Sequence, residues 1–148
     1  EVIWPAGYVL RTYPRREAIA HFRAVYDEAF RGLPSYQPYT SAAEVDEALA
    51  VSANLRFAVQ GDRPVGFVWA RMVHAELGEI EPIGVAAAHQ GCGLGAVLLA
   101  EGLHYLAGRG GQQVRLGVWA DNQRAIRLYQ QFGFRHVDSR YFLARTIE

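Results

Sequence analysis

The chain has 148 residues, 51% hydrophobic and 20% charged, and its 15 basic and 15 acidic side chains cancel to a formal net charge of zero. That length suits one domain, 1-148, able to bury roughly 70% of its unfolded surface, and it carries no basic excess to hold a nucleic-acid backbone. No apolar stretch is long enough to span a bilayer, and the single cysteine, Cys92, excludes an internal disulfide.

Taken in chain order, Tyr8 to Tyr13 is β-prone and ends at Pro14, which reads as a short strand. From Arg16 to Phe30, Ile19, Phe22, Val25, Tyr26 and Ala29 recur at helical spacing. Gly32, Pro34 and Pro38 break that pattern, so Arg31 to Thr40 reads as a loop carrying Tyr36 and Tyr39. Ser41 with Glu44 forms a capping box that starts a second helix, running to about Val51. Leu55–Val59 and Val65–Val73 read as a hairpin with Gly61-Asp62 at its tip. Residues 74 to 78 form a turn, and Glu79 to Ala88 is the third consecutive strand. A helix from about Leu94 stops near Gly108, Gly110 and Gly111. Val114 to Trp119 is a strand, and Asp121 or Asn122 caps a short helix holding Ala125, Ile126, Leu128, Tyr129 and Phe132. Residues 135 to 147 carry a broken strand pattern that fits a hairpin. The order is β-α-α-β-β-β-α-β-α-β with room for one more strand: antiparallel hairpins first, then a parallel βαβ crossover over 79–119.

Chemistry concentrates in Gln90-Gly91-Cys92-Gly93-Leu94-Gly95-Ala96, between a strand and a helix. Glycine permits a sharp turn and lets a ligand approach the backbone. The first N–H groups of a helix lack internal partners and carry the positive end of its dipole. Three alternate glycines at such a junction therefore predict an anion site, most naturally for phosphate. Cys92 reads as a small tolerated side chain, although a helix N-terminus lowers a thiol pKa. The histidines at 21, 74, 89, 104 and 136 show no metal-type spacing, so no metal is expected.

These features together resemble the GNAT family of N-acetyltransferases. The family's pyrophosphate pattern is Gln or Arg, Gly, any, Gly, any, Gly or Ala, and residues 90 to 95 satisfy it. A second match runs from Asn122 to Tyr129, followed by Gly133-Phe134. The resemblance covers the chain from about Tyr8 to its end. It implies an α/β mixed sheet with helices on both faces, acetyl-CoA as co-substrate, and transfer of its acetyl group to a primary amine by direct attack. It also implies site roles. The N–H groups of residues 91 to 96, preceded by Gln90, would hold the pyrophosphate. Backbone groups of Ile83 and Val85 would pair with the pantetheine arm, and Asn122 would bind the same region. Tyr129 would protonate the departing thiolate. By spacing alone Tyr129 reads as a core residue, and only the flanking motif makes it an acid.

Two positions depart from the pattern. Ala87 stands where many members have proline, and Gly117 where some place a glutamate base. Glu79 and Glu81 are the substitutes, Glu81 the first choice, with a water relay as the rival. They share a face by strand alternation unless a bulge near Pro82 changes the parity. The acceptor, a small-molecule or peptide amine, would meet the Arg31–Thr40 loop, the strand around Trp69 and the C-terminal strands. Glu76, Glu79 and Glu81 would favour a cationic amine. Tyr36 and Tyr39 either face it or pack the loop. A homodimer is compatible with this reading, and a lone cysteine without a signal-peptide pattern fits the cytoplasm. The start at Glu1 leaves room for a longer or tandem chain.

Two rival functions remain. One is a non-catalytic acyl-CoA-binding or degenerate partner domain, for which the missing glutamate at 117 leaves room. The other is a dinucleotide-binding module with Asp121 as its ribose acid, although the spacing is not G-x-G-x-x-G and only one βαβ unit is visible.

Overall fold

The computed structural model describes residues 2–49 and 54–137, and the backbone of 141–144. Strand β1 (Tyr8–Arg11) leads into α1 (Arg15–Phe30) and α2 (Ala42–Ala48). Strands β2 (Asn54–Gln60), β3 (Arg63–His74) and β4 (Leu77–Val85) follow, then α3 (Leu94–Gly108), β5 (Gln113–Gly117), α4 (Gln123–Gln131), β6 (Arg135–His136) and β7 (Tyr141–Ala144). All seven strands join one sheet in the order β1-β2-β3-β4-β5-β7-β6. Among the described residues only the β4–β5 pair is parallel, as a βαβ crossover through α3 requires.

Local chemistry accounts for the element ends. Ser41 Oγ accepts from the Glu44 N–H at 3.1 Å. The Glu44 carboxylate reaches one residue further back than a capping box predicts, taking the N–H and hydroxyl of Thr40 at 2.8 and 2.7 Å. Helix α2 ends at Ala48, short of the expected Val51, which lies outside the described residues. Gly61 takes φ 61° at the β2–β3 tip, where a tight hairpin needs positive φ. The expected turn at 74–78 shrinks to residues 75 and 76, because β4 begins at Leu77 and ends at Val85. Its expected tail to Ala88 instead folds into a 3₁₀ turn, Ala87–His89. Phe132, expected on the apolar face of α4, lies beyond that helix and is exposed.

The sheet separates two apolar clusters. On one face α1 and α2 lay Ile19, Phe22, Val25, Tyr26 and Val45 against Phe57, Phe67 and Trp69. On the other, α3 and α4 lay Leu94, Leu98, Leu99, Leu106 and Tyr129 against Val68, Ala70, Ile80, Val114 and Leu116. Alternation along β3 sends Phe67 and Trp69 to the first cluster and Val68 and Ala70 to the second, as a strand buried on both faces must.

One irregularity positions the site. Opposite β3, Ala70 pairs with Ile80 and Val68 with Ile83, so Glu81 and Pro82 together face the single residue Trp69. This is a β-bulge, and a bulge bends its strand and re-aims its side chains. The parallel pairing of β4 with β5 stops at the same level, at Ile80 with Leu116. Beyond it the two strands part.

Candidate active site

The parting strands open a cavity of about 640 Å³. Glu79, Glu81, Pro82 and Ile83 line it from β4, Gly117 from β5, and Asn122 and Tyr129 from α4 and its start. Tyr26, Phe30, Tyr39, Trp69 and Trp119 form aromatic walls, with Arg71 beside them.

Glu81 projects across the gap. A Cβ built on Gly117 would stand 2.8 Å from both of its carboxylate oxygens. The carboxylate thus fills the space beside the position whose glutamate is missing from the sequence. Glu79 is different in kind. Only 7% exposed, it accepts at Oε1 from Arg71 (2.7 Å) and at Oε2 from Arg115 (2.8 Å). A carboxylate held by two guanidiniums is a structural counter-ion. Glu79 and Glu81 both reach the cavity, but the bulge beside Glu81 sets a carboxylate clamped by two arginines apart from one that faces Gly117.

Tyr129 is 4% exposed and packs in the α3–α4 cluster while its surface lines the cavity. It belongs to both environments that the sequence set as alternatives. Burial raises its phenol pKa well above the ordinary tyrosine value, and the negative charge of Glu81 adds to that. The same charge acts on Tyr26, pushed up to about 12 chiefly by burial, and on Tyr39, raised by burial first. The phenols of Tyr26, Tyr39 and Tyr129 therefore surround one carboxylate and hold their protons at neutral pH.

The loop before α2 divides its two tyrosines. Tyr39 faces the cavity. Tyr36 instead donates its hydroxyl to the Asp27 carboxylate and packs on the α1 side. Asp121 accepts from the backbone N–H of Ser35 at 3.0 Å and from its hydroxyl at 2.8 Å. That pins the loop to the start of α4 and engages the acid on which the dinucleotide alternative depended. Asn122 caps α4, its Oδ1 accepting the Ala125 N–H at 3.2 Å, so its side-chain oxygen already serves the helix.

The glycine turn, which follows β4, contributes no residue to the lining of this cavity. Gly91 and Gly93 take φ of 85° and 93°, a region closed to most side chains. Gly93 is the N-cap of α3, and beyond its chain neighbours no heavy atom lies within 4 Å of where its Cβ would be. Among the described residues, the N–H groups of 91 to 96 donate to no backbone carbonyl, which leaves them available to an anion. Gly95 is a helical residue and serves packing instead. Its Cβ would stand 3.2 Å from Leu128 Cδ2, so the missing methyl seats α4 against α3. Cys92 Sγ donates to the His89 carbonyl at 3.1 Å. Ile83 and Val85 pair with Val68 and Gly66 of β3 and, past the end of the β4–β5 pairing, have no strand on their other side among the described residues. The Val85 carbonyl accepts from the Gln90 amide at 2.9 Å.

Sequence reasoning did not reach Arg71, Arg115, Trp119 or Arg124. The first two meet Glu79 from other strands, Trp119 leans on Phe30 with ring centres 6.1 Å apart, and Arg124 donates to Gln90 Oε1 at 3.2 Å. Each is a pairing across the fold with no local signature.

The family model described as "Acetyltransferase (GNAT) family" matches residues 16–134. A mycothiol acetyltransferase of Rhodococcus erythropolis is 38% identical over 95% of this chain and 52% of its own length. The chain thus spans about half the length of the curated relatives it matches. The ribosomal-protein-S18-alanine N-acetyltransferase of Escherichia coli superposes with TM-score 0.75 at 19% identity, over 92% of this chain and 89% of its own. A GNAT family acetyltransferase of Brucella melitensis, solved with acetyl-CoA, gives TM-score 0.72 at 23% identity over 93% and 87%. Likeness at these identities is likeness of fold.

Proposed function

The chain belongs to the acetyltransferase (GNAT) family, and from that premise we propose that it moves the acetyl group of acetyl-CoA to the primary amine of a small molecule. The observation that carries this is the break in β4–β5 pairing after Ile80 and Leu116, with Glu81 and Tyr129 in the one cavity beside it. An extended pantetheine arm fits there as an added strand against Ile83 and Val85. The N–H groups of residues 91 to 96, with left-handed glycines at 91 and 93, suit the diphosphate at its far end. The relatives named mycothiol acetyltransferase favour a small-molecule acceptor over a peptide.

Glu81 then acts twice. Its carboxylate attracts the incoming ammonium, and it accepts, directly or through one water, the proton that the amine sheds as it attacks the thioester carbonyl. Tyr129 donates its O–H toward the sulfur as the C–S bond breaks. A buried phenol with a raised pKa is a reluctant acid. Protonating Glu81 removes the negative charge that helps hold the Tyr129 proton, so uptake at one group eases release at the other. The ammonium gives one proton to solvent before it attacks, and the amine nitrogen gives a second to Glu81 as the C–N bond forms. Tyr129 supplies a proton to the sulfur as the C–S bond breaks, and the proton held by Glu81 then restores the phenol, so one proton is released for each acetyl group moved.

A second reading follows from length. Because the chain spans about half of its curated relatives, it also suits a half that binds acyl-CoA without turning it over. Incubation with acetyl-CoA and a panel of small primary amines, read by mass spectrometry, tests the first reading. An acetylated amine supports it. Calorimetric binding of acetyl-CoA with no product across the panel supports the second, and absence of binding overturns both.

A further inference from the structure

The glycine turn supplies N–H groups but no charged side chain of its own. Gln90 stands where the family pattern admits either glutamine or arginine, so a cation that the pattern could provide is absent from residues 90 to 96. One arrives from α4 instead. The Arg124 guanidinium lies beside Gly91, its Nη2 3.5 Å from where a Cβ on that glycine would be. Its Nη1 donates to Gln90 Oε1 at 3.2 Å, while Gln90 Nε2 donates to the Val85 carbonyl at 2.9 Å. The amide thus bridges a strand carbonyl and a guanidinium, each of which it suits with one end. Both side chains are exposed, so the arrangement faces solvent and is open to a ligand entering along the turn.

We infer that Arg124 is the cationic clamp on the diphosphate of acyl-CoA, with Gln90 as its positioning residue; the inference rests on the acetyl-CoA reading above. A guanidinium presents a planar fork that matches phosphate oxygens. With one nitrogen tethered, less of its motion is lost when it closes on the anion. The Gln90 relay also links the clamp to the end of β4, so the part of the site that holds the diphosphate is tied to the strand edge offered to the pantetheine arm.

The test is calorimetric titration of acetyl-CoA into wild type, Arg124→Ala, Arg124→Lys, Gln90→Ala and the double variant Arg124→Ala/Gln90→Ala, with thermal midpoints checking that each is folded. Arg124→Ala should weaken affinity roughly tenfold, as loss of one charged hydrogen bond at an exposed site does, and make it less sensitive to salt. Arg124→Lys should keep part of the affinity. Gln90→Ala should lose less than Arg124→Ala, and the double variant should lose less than the sum of the two, the sign of a shared contact. The same titrations with acetyl-3′-dephospho-CoA locate the contact. An unchanged Arg124→Ala effect supports the diphosphate, and a vanished effect overturns that assignment in favour of the 3′-phosphate. Wild type that binds with Arg124→Ala within twofold of it overturns the clamp alone; wild type that does not bind overturns the reading beneath it.

Discussion

The Glu81 carboxylate lies directly over the Cα of Gly117, so that a methyl group there would stand 2.8 Å from both oxygens. The two residues come from strands that have just ceased to pair, and the glycine leaves the carboxylate its place in the cavity. Gly117→Ala should therefore move Glu81 without unfolding the protein, since the displaced atoms are the tip of a flexible side chain. Turnover should fall toward that of Glu81→Gln, with acetyl-CoA affinity little changed in either variant. Glu81→Gln should also flatten the acidic limb of the pH–rate profile. Wild-type kinetics in both variants would leave water as the base.

Tyr129→Phe keeps the ring in its cluster and deletes the hydroxyl. The acid role predicts a fall in single-turnover rate of roughly 10²–10⁴, with stability changed by about 1 kcal/mol, the worth of one hydrogen bond. Affinity for acetyl-CoA should hold, because the hydroxyl acts as the thiolate leaves. An unchanged rate of the chemical step would make Tyr129 a core residue only.

Glu79→Gln tests the ion-paired carboxylate. Without its charge, Arg71 and Arg115 face each other across a neutral amide. The loss should be about 2 kcal/mol, below the range for a fully buried pair because the two guanidiniums are 37% and 31% exposed. Urea unfolding reads it as a lower midpoint. Arg71→Ala in the same background should return part of the stability, and no return would mean that the two sites do not interact.

Tyr26 should shape alkaline unfolding. Its hydroxyl donates to the Gln37 carbonyl at 3.2 Å, and burial favours the protonated form, with a folded pKa of about 12 against an ordinary 10.0. The unfolded chain then loses its proton first as pH rises. The stability held by this phenol is complete below pH 10 and is lost between about 10 and 12. Thermal midpoints across that window should fall less steeply for Tyr26→Phe. Equal slopes would mean that Tyr26 ionises alike in both states.

Much of this was legible where the signal was local. Ser41, Gly61 and Asn122 each fix a helix start or a turn through neighbours two or three residues away, and the sequence marks them. The glycine turn was legible for the same reason, although its three glycines split into two with left-handed backbone and one that accommodates Leu128. The carboxylates were less legible. Periodicity put Glu79 and Glu81 on one face of a strand, but their different fates depend on the bulge at Glu81 and Pro82, on Arg115, 36 residues from Glu79, and on Gly117 of β5 standing opposite Glu81. Spacing along a chain reports none of these.

The close seat of Leu128 against Gly95 has a consequence for inheritance. The family pattern accepts glycine or alanine at that place, yet here an alanine methyl would stand 3.2 Å from Leu128 Cδ2. A methyl at 95 would require Leu128 to give by a few tenths of an ångström, so the two positions are coupled, and shortening 128 to valine should change what an alanine at 95 costs.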